Sequence, residues 1–259
     1  MTIAYFDCFS GIAGDMILGA LIDVGVNETL LKKELQKLPL TGYNLQAKKI
    51  QSNHISAIDV TIDVTQDQHH RSLSDITTLI THSTLPPEVK QLSQTIFNNL
   101  GKAEAKIHNI PIEDVHFHEV GAIDSIIDIV GSVIGIHLLG IDTIICSPLP
   151  LGHGFVSCDH GLLPLPAPAT IELLKGVPVY SVDRNQETVT PTGAAVITTL
   201  ATRFGEMPPM KITNIGYGSG KIPSKYPNLL RIYLGEPEEK TIKEKHKEKE
   251  KKIRYERTN

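Results

Sequence analysis

The chain is poor in the residues that stabilise small secreted proteins. Its 259 residues include no tryptophan and three cysteines, and aromatic residues make up 5%. Three cysteines without a CxxC pair cannot form a disulfide framework. The longest apolar stretch, residues 126–139, is interrupted by Asp128 and His137 and is too short to cross a bilayer. The N-terminal residues show no basic segment and no cleavage signal, so we expect a cytoplasmic protein without a membrane partner.

The chain also has no excess of Lys and Arg over Asp and Glu. Residues 236–259 carry nine Lys/Arg and seven Asp/Glu, and the preceding body carries 16 basic and 22 acidic residues, a net charge of −6. An acidic body argues against nucleic acid as a partner and suits the binding of cations. The Lys/Glu-rich segment has too few large apolar residues to form a core. The sequence therefore predicts a folded domain over residues 1–235 and a disordered tail over residues 236–259.

The hydrophobic pattern predicts strands that alternate with helices. Predicted strands cover residues 3–9, 58–64, 143–146 and 177–182, and the segments 212–220 and 229–234 close the body. Predicted helices cover residues 15–24, 28–37, 74–82, 87–106 and 120–139, and two more begin near residues 168 and 190. This alternation indicates an α/β layered domain whose mixed or largely parallel sheet is flanked by helices. Residues 147–168, rich in glycine and proline, are interpreted as a long functional loop.

The clearest metal-binding pattern lies between residues 116 and 128. His116 and His118 would point to the same face of an extended stretch, and Glu119 follows them. Asp124 and Asp128 lie one turn apart on the predicted helix behind this stretch. Imidazole and carboxylate ligands together suit nickel, zinc, manganese or iron. The alternative is that the two aspartates face solvent at a helix start, where the helix dipole favours acids.

A second candidate site lies at the N-terminal strand, turn and helix. Asp7 ends the strand, Ser10, Gly11 and Gly14 lie in the turn, and Asp15 begins the helix. Open α/β sheets bind ligands where strands end beside helix N-termini. The glycines fit neither nucleotide-binding fingerprint, GxGxxG or GxxxxGK[ST]. We predict phosphate binding by the turn and metal binding by the two aspartates; the alternative is a turn that only requires small residues.

Two histidines of the Gly/Pro-rich segment are weaker metal candidates. His153 and His160 could act together with Cys158, but the three lack the spacing of a structural zinc motif. Ordinary loop residues are an equal alternative for the histidines and the favoured one for the cysteine. The pair His69 and His70 is interpreted as part of a solvated loop.

Two further segments could bind an anion. Thr190, Thr192 and Gly193 open a predicted helix with hydroxyl groups and free backbone amides. Gly218 and Lys221 belong to a Gly-rich segment whose backbone could wrap around an anion. The alternatives are an ordinary capped helix and an ordinary tight turn.

Several of these segments together resemble the LarC family of nickel-insertion proteins. The resemblance runs in order from about residue 2 to residue 235 and is strongest at residues 6–16, 116–128, 160–170 and 190–195. It implies the insertion of nickel into pyridinium-3,5-bisthiocarboxylic acid mononucleotide, which completes the nickel-pincer cofactor of lactate racemase. It also implies the use of CTP, with Mg or Mn, and its hydrolysis to CMP and pyrophosphate.

The implied reaction makes two Ni–S bonds and one Ni–C bond, so a ring carbon must lose its proton. A base would help this step, and His116, His118 or Glu119 could serve. The implied enzyme is a CTP-dependent nickel chelatase or cyclometallase of the lyase class.

The chain departs from the family pattern after residue 235. Family members continue into a second domain associated with CTP, and this chain has a Lys/Glu-rich segment there. The chain resembles the first piece of a member split by a frameshift, with the C-terminal half as its partner. We also allow for a homo-oligomer.

Two alternative functions stay open at this point. One is a nickel-delivering binding module without catalysis. The other is a metal-dependent phosphohydrolase that uses Asp7, Asp15, Asp124 and Asp128.

Overall fold

A computed structural model describes residues 1–65, 71–117, 121–158 and 161–238. The helices are α1 (Gly14–Val24), α2 (Glu28–Leu35), α3 (Leu73–His82), α4 (Pro87–His108), α5 (Ile123–Leu138), α6 (Pro168–Leu173) and α7 (Pro191–Leu200). The strands are β1 (Ile3–Asp7), β2 (Tyr43–Ser52), β3 (Ile55–Val64), β4 (Arg71–Ser72), β5 (His116–Phe117), β6 (Thr143–Cys146), β7 (Leu149–Leu151), β8 (Phe155–Cys158), β9 (Gly161–Pro164), β10 (Val179–Ser181), β11 (Arg203–Phe204), β12 (Met210–Ser219) and β13 (Leu229–Pro237). A short 3-10 helix spans Ile112–Asp114.

Seven strands form one mixed sheet in the order β11-β6-β1-β13-β12-β3-β2. Strand β1 is an interior strand of this sheet, parallel to β6 and antiparallel to the central strand β13, with Asp7 opposite Arg231. Among the described residues, three strand pairs lie outside this sheet: β10 with β7, β4 with β5, and β8 with β9. The predicted α/β layered fold with a mixed sheet is confirmed.

Helix α1 is packed directly against the backbone of the sheet. A Cβ atom on Gly218 of β12 would overlap with the carbonyl oxygen of Met16. On another side, Gly131 of α5 leaves room for the Leu18 side chain. Because glycines replace side chains at these contacts, α1 lies closer to β12 and α5 than larger residues would allow.

Most predicted helices and strands are confirmed within a few residues. Asn27 caps α2, since its side chain accepts a hydrogen bond from the Leu30 amide. Strand β2 was not predicted. The interpretation of residues 147–168 as one long loop is wrong, because short strands form there: β7 pairs with β10, and β8 pairs with β9.

The C-terminal strand β13 continues to Pro237, two residues past the predicted boundary at residue 235. Residues 239–259, for which a disordered tail is predicted, lie outside the described residues, as do His69 and His70. Within the described ranges, no helix combines the length and the apolar composition that crossing a membrane requires.

Candidate ligand-binding site at the start of helix α1

The loop between β1 and α1 is held against the segment that leads into α7. The Ile12 amide donates to the Thr188 carbonyl oxygen at 2.8 Å, and the Thr190 amide donates to the Ile12 carbonyl oxygen at 3.1 Å. Gly11 has φ = +121°, and a Cβ atom there would overlap with the backbone of Thr188. The two segments predicted from sequence to bind phosphate, around Ser10 and around Thr190, are therefore neighbours.

The start of α7 is an ordinary capped helix. The Thr190 hydroxyl accepts a hydrogen bond from the Gly193 amide at 3.1 Å, and the hydroxyl oxygens of Thr190 and Thr192 lie 3.0 Å apart. A Cβ atom on Gly193 would overlap with the Ile12 carbonyl oxygen. These residues thus have structural partners, which agrees with the alternative given above, an ordinary capped helix.

Two carboxyl groups, those of Asp15 and Asp128, lie within electrostatic range of each other where α1 begins beside α5. A Cβ atom on Gly14 would lie 2.5 Å from Oδ2 of Asp128, so the glycine makes room for this carboxyl group. Asp15 follows directly, and burial raises its pKa to about 6. Burial, together with the charges of Asp15 and Asp124, raises the pKa of Asp128 well above its usual range. Oδ1 of Asp128 is buried and has no hydrogen-bond partner in the described parts of the chain.

Lys221 lies near this carboxyl pair but is bound to other groups. Its Nζ donates to Oδ1 of Asp59 and to the Thr61 hydroxyl. Its positive charge partly counteracts the raised pKa values of Asp15 and Asp128. Residues 210–219, Gly218 included, are extended in β12 and do not form the predicted Gly-rich turn, and anion binding by Gly218 and Lys221 stays a prediction.

A carboxyl oxygen that is buried without a partner is costly unless it carries a proton or meets a cation. Asp15 and Asp128 are here called the carboxyl pair; the raised pKa of each means that it holds a proton more firmly than an ordinary aspartate, and a cation could take the place of that proton. Across the ranges that the structure describes, however, no group of three or more His, Cys, Asp or Glu side chains is arranged to hold a metal. Further ligands would have to come from a bound substrate or from residues outside those ranges.

The predicted histidine ligands are only partly described. His116 lies on β5 opposite Ser72 and is exposed. Hydrogen bonds from Ser72 lower the pKa of Asp75, and the charge of His116 adds to this effect. His118, Glu119 and His160 lie outside the described residues, so their roles as ligands or bases stay predictions.

Asp124 and His153, two other predicted ligands, lie at the surface. Asp124 is exposed in the first turn of α5, and its Oδ1 accepts a hydrogen bond from the Ser125 amide at 2.8 Å. This arrangement is the solvent-facing alternative considered above. His153 is exposed, and its Nε2 lies 3.2 Å from Oδ1 of Asp183. Cys158 is half-buried on β8.

Asp7, a further predicted metal ligand, is bound to an arginine. Its Oδ2 accepts hydrogen bonds from Nε of Arg231 at 3.0 Å and from Nη2 of the same side chain. The Arg231 guanidinium also lies over the rings of Phe9, Tyr217 and Tyr233, at 4.8–5.8 Å from their centroids. The carboxylate therefore already has a cationic partner.

A second arginine holds the loop itself. Ser10 is 1% exposed, and its hydroxyl and carbonyl oxygens accept hydrogen bonds from Nη1 of Arg184 at 2.6 and 3.1 Å. Sequence reasoning missed both Arg184 and Arg231, because no local motif marks them. They reach the loop from positions 174 and 224 residues away in the chain.

The fold and the site define an α/β protein in which the segment from the end of β1 to the start of α1 contacts an aspartate of α5 and two arginines. The chain belongs to the family described as nickel insertion protein, whose family model matches residues 4–259. The resemblance to that family noted from sequence is confirmed.

Two relatives carry a more specific name. The pyridinium-3,5-bisthiocarboxylic acid mononucleotide nickel insertion protein of Desulfitobacterium hafniense is 50% identical over 236 residues, 91% of this chain and 59% of the relative. The protein of that name from Staphylococcus epidermidis is 49% identical over 234 residues, 90% of this chain and 59% of the relative. The chain thus spans about six tenths of the length of these relatives. No solved structure shows significant similarity to it.

Proposed function

We propose that this chain is the nickel- and substrate-binding part of an enzyme that inserts nickel into pyridinium-3,5-bisthiocarboxylic acid mononucleotide. The names of the two relatives support this substrate, and the family match supports nickel as the metal. The product would be the nickel-pincer cofactor of lactate racemase. CTP with Mg or Mn, and the C-terminal half that the longer relatives suggest, complete the proposed enzyme, a cyclometallase of the lyase class.

The observation that carries the proposal is Oδ1 of Asp128, which is buried without a partner among the described residues and lies within electrostatic range of Asp15. The pair would bind nickel through oxygen in exchange for protons. Carboxylate oxygen is a harder ligand than sulfur, and the thiocarboxylate sulfurs of the substrate suit nickel better. Transfer from the protein to the substrate would then be downhill, which is what an insertion protein requires of a holding site.

The remaining steps use residues whose roles stay proposals. His116, His118 and Glu119 are the proposed bases for the ring proton, and each could complete the nickel ligand set. Asp124 and His153 could contribute only from the surface, where both are exposed. The phosphohydrolase alternative loses its support, because Asp7 is bound to Arg231 and the four aspartates it needs do not form one group among the described residues.

The test combines the chain with the C-terminal half of a longer relative, nickel, CTP, Mg and the dithio-pyridinium mononucleotide. Mass spectrometry should show the metallated product with the wild-type chain, and Asp128→Asn should reduce its rate by about 100-fold. Asp142→Asn is the matched control, because Asp142 is exposed at the opposite end of the sheet and binds only the N-terminal backbone. Nickel binding without product, with both halves folded, would favour the delivery module instead.

A further inference from the structure

Arg184 lies at the rim of the loop between β1 and α1 with much of its bonding capacity unused. Its Nη1 donates both hydrogen bonds to Ser10. In the described parts of the chain, its Nε and Nη2 atoms have no hydrogen-bond acceptor and its charge has no carboxylate within ion-pair distance. Arg231, by contrast, binds Asp7 with two of its nitrogens. A half-buried guanidinium without an anion is open to one from solution.

Aromatic rings and a second cation surround this guanidinium. Arg184 lies 5.1 Å from the ring centroid of Tyr226, and Nζ of Lys225 lies 5.1 Å from the same centroid. Tyr226 is 45% exposed and Tyr180 is 44% exposed. Tyr180 is close enough to Arg184 for that charge to oppose the effect of burial, which raises the pKa of Tyr180. The surface therefore offers two positive charges and two accessible aromatic faces.

This combination matches a ligand that carries a phosphate and a flat ring. A phosphomonoester accepts bidentate hydrogen bonds from the free edge of an arginine. An aromatic face can stack on a pyridinium ring, which is itself cationic. The buried Ser10 fixes the position of Arg184 from behind, so the guanidinium is oriented before a ligand arrives.

We propose that Arg184 binds the phosphate of a pyridine mononucleotide, with Lys225 as an auxiliary cation and Tyr226 as a face for the ligand. The identity of the ligand rests on the function proposed above, but the site itself rests on the geometry around Ser10. The phosphate would be anchored on one side of the loop while the carboxyl pair holds the metal on the other.

The experiment measures binding by calorimetry on the full chain without nickel or CTP. The probe is nicotinate mononucleotide, and nicotinate riboside is the same molecule without its phosphate. We expect the mononucleotide to bind the wild-type chain and the riboside to bind at least tenfold more weakly, since a charge-assisted bond contributes about this factor. Arg184→Gln should weaken mononucleotide binding by about tenfold or more, and Arg184→Lys should fall between the two.

Arg203→Gln is the matched control, because Arg203 is exposed on the edge strand β11. It should leave the affinity unchanged. Equal affinity of wild type and Arg184→Gln, equal binding of the two probes, or no binding of the mononucleotide to the wild-type chain would each overturn the proposal. A lower melting temperature of Arg184→Gln with unchanged affinity would show that Arg184 only supports the loop. Neither probe contains sulfur and no metal is present, so this experiment is independent of the nickel-insertion test. The phosphate site can be confirmed when nickel insertion is not observed, and it can be ruled out when nickel insertion is observed.

Discussion

The acidic and the basic side chains around the β1–α1 loop differ in how well their charges are compensated by neighbouring groups. On the acidic side, Asp128 has a buried oxygen without a partner among the described residues, and burial raises the pKa of both Asp128 and Asp15. On the basic side, Arg231 is bound to Asp7 and surrounded by aromatic rings, and Arg184 is bound to Ser10. The acidic side chains therefore have few partners for their charge, and the arginines on the basic side each have several.

This difference predicts how each group of side chains affects the stability of the folded chain. A buried carboxyl oxygen such as Oδ1 of Asp128, which has no partner among the described residues, destabilises a protein, and such groups are typical of functional sites. Arginines with hydrogen bonds and aromatic contacts support folding even when no ligand is bound. Substitutions should accordingly separate stability from ligand binding on the acidic side and couple them on the basic side.

The largest expected effect comes from breaking the support of the acidic side. Gly218→Ala would drive a Cβ atom into the Met16 carbonyl oxygen, and neither backbone can rotate away. We expect the free energy of unfolding to fall by about 3 kcal/mol or more in urea denaturation. Gly101→Ala is the control, because its Cβ atom would meet only the end of the Leu73 side chain. Equal losses in the two variants would contradict the close packing of α1 on β12.

Asp128→Asn should separate binding from stability. Nickel affinity measured by calorimetry should fall by about 100-fold, because loss of an outer partner of a metal ligand already costs 10–100-fold. Thermal stability at pH 7.5 should stay unchanged or rise, since an amide carries no buried charge. Asp124→Asn is the matched control on the same helix, where the side chain is exposed, and its effect on nickel affinity should be small. If Asp124→Asn reduced the nickel affinity more than Asp128→Asn does, Asp124 rather than Asp128 would be the nickel ligand.

On the basic side, Arg231→Met should reduce the free energy of unfolding, measured by urea denaturation. The substitution leaves the Asp7 carboxylate without its hydrogen bonds in a half-buried position. We expect a loss of about 2 kcal/mol in the free energy of unfolding. If the double variant with Asp7→Asn recovers none of this loss, the two side chains are not coupled as described.

The smallest effect is a dependence of stability on pH. The pKa of Asp15 is about 6 in the folded chain against an ordinary value of 3.8, so the folded state binds more protons between these values. The stabilisation is complete below about pH 4 and is lost as the pH rises through about 6. Relative to Asp15→Asn, the wild-type chain should lose on the order of 1–2 kcal/mol between pH 4 and pH 7. Parallel pH curves for the two proteins would show that Asp15 is not buried in this way.

The sequence predicted the framework of the fold because its buried elements repeat apolar residues at regular spacing. Helix α1 and strand β6 were predicted to within a residue for this reason. Strand β2 was missed because it lies at the edge of the sheet, where polar residues interrupt the apolar alternation. Strands β7 to β9 have three or four residues each, too few to show a period.

The candidate site was predicted where its residues are close in sequence. The Ser10 loop and Asp15 lie in one short motif, and Asp128 was found from its position on a predicted helix. Arg184 and Arg231 could not be predicted, because only the completed sheet and the 188–190 segment bring them to the loop. Likewise, only the packing of α1 on α5 distinguishes Asp128, which has a buried oxygen, from the exposed Asp124.

The most direct test of the central claim is anomalous diffraction at the nickel absorption edge from crystals of the full chain soaked in nickel. We predict the strongest anomalous peak within coordination distance of a carboxyl oxygen of Asp128, on the side of Asp15. A strongest peak elsewhere, for example at His153 and Asp183, with none at Asp128, would contradict the account.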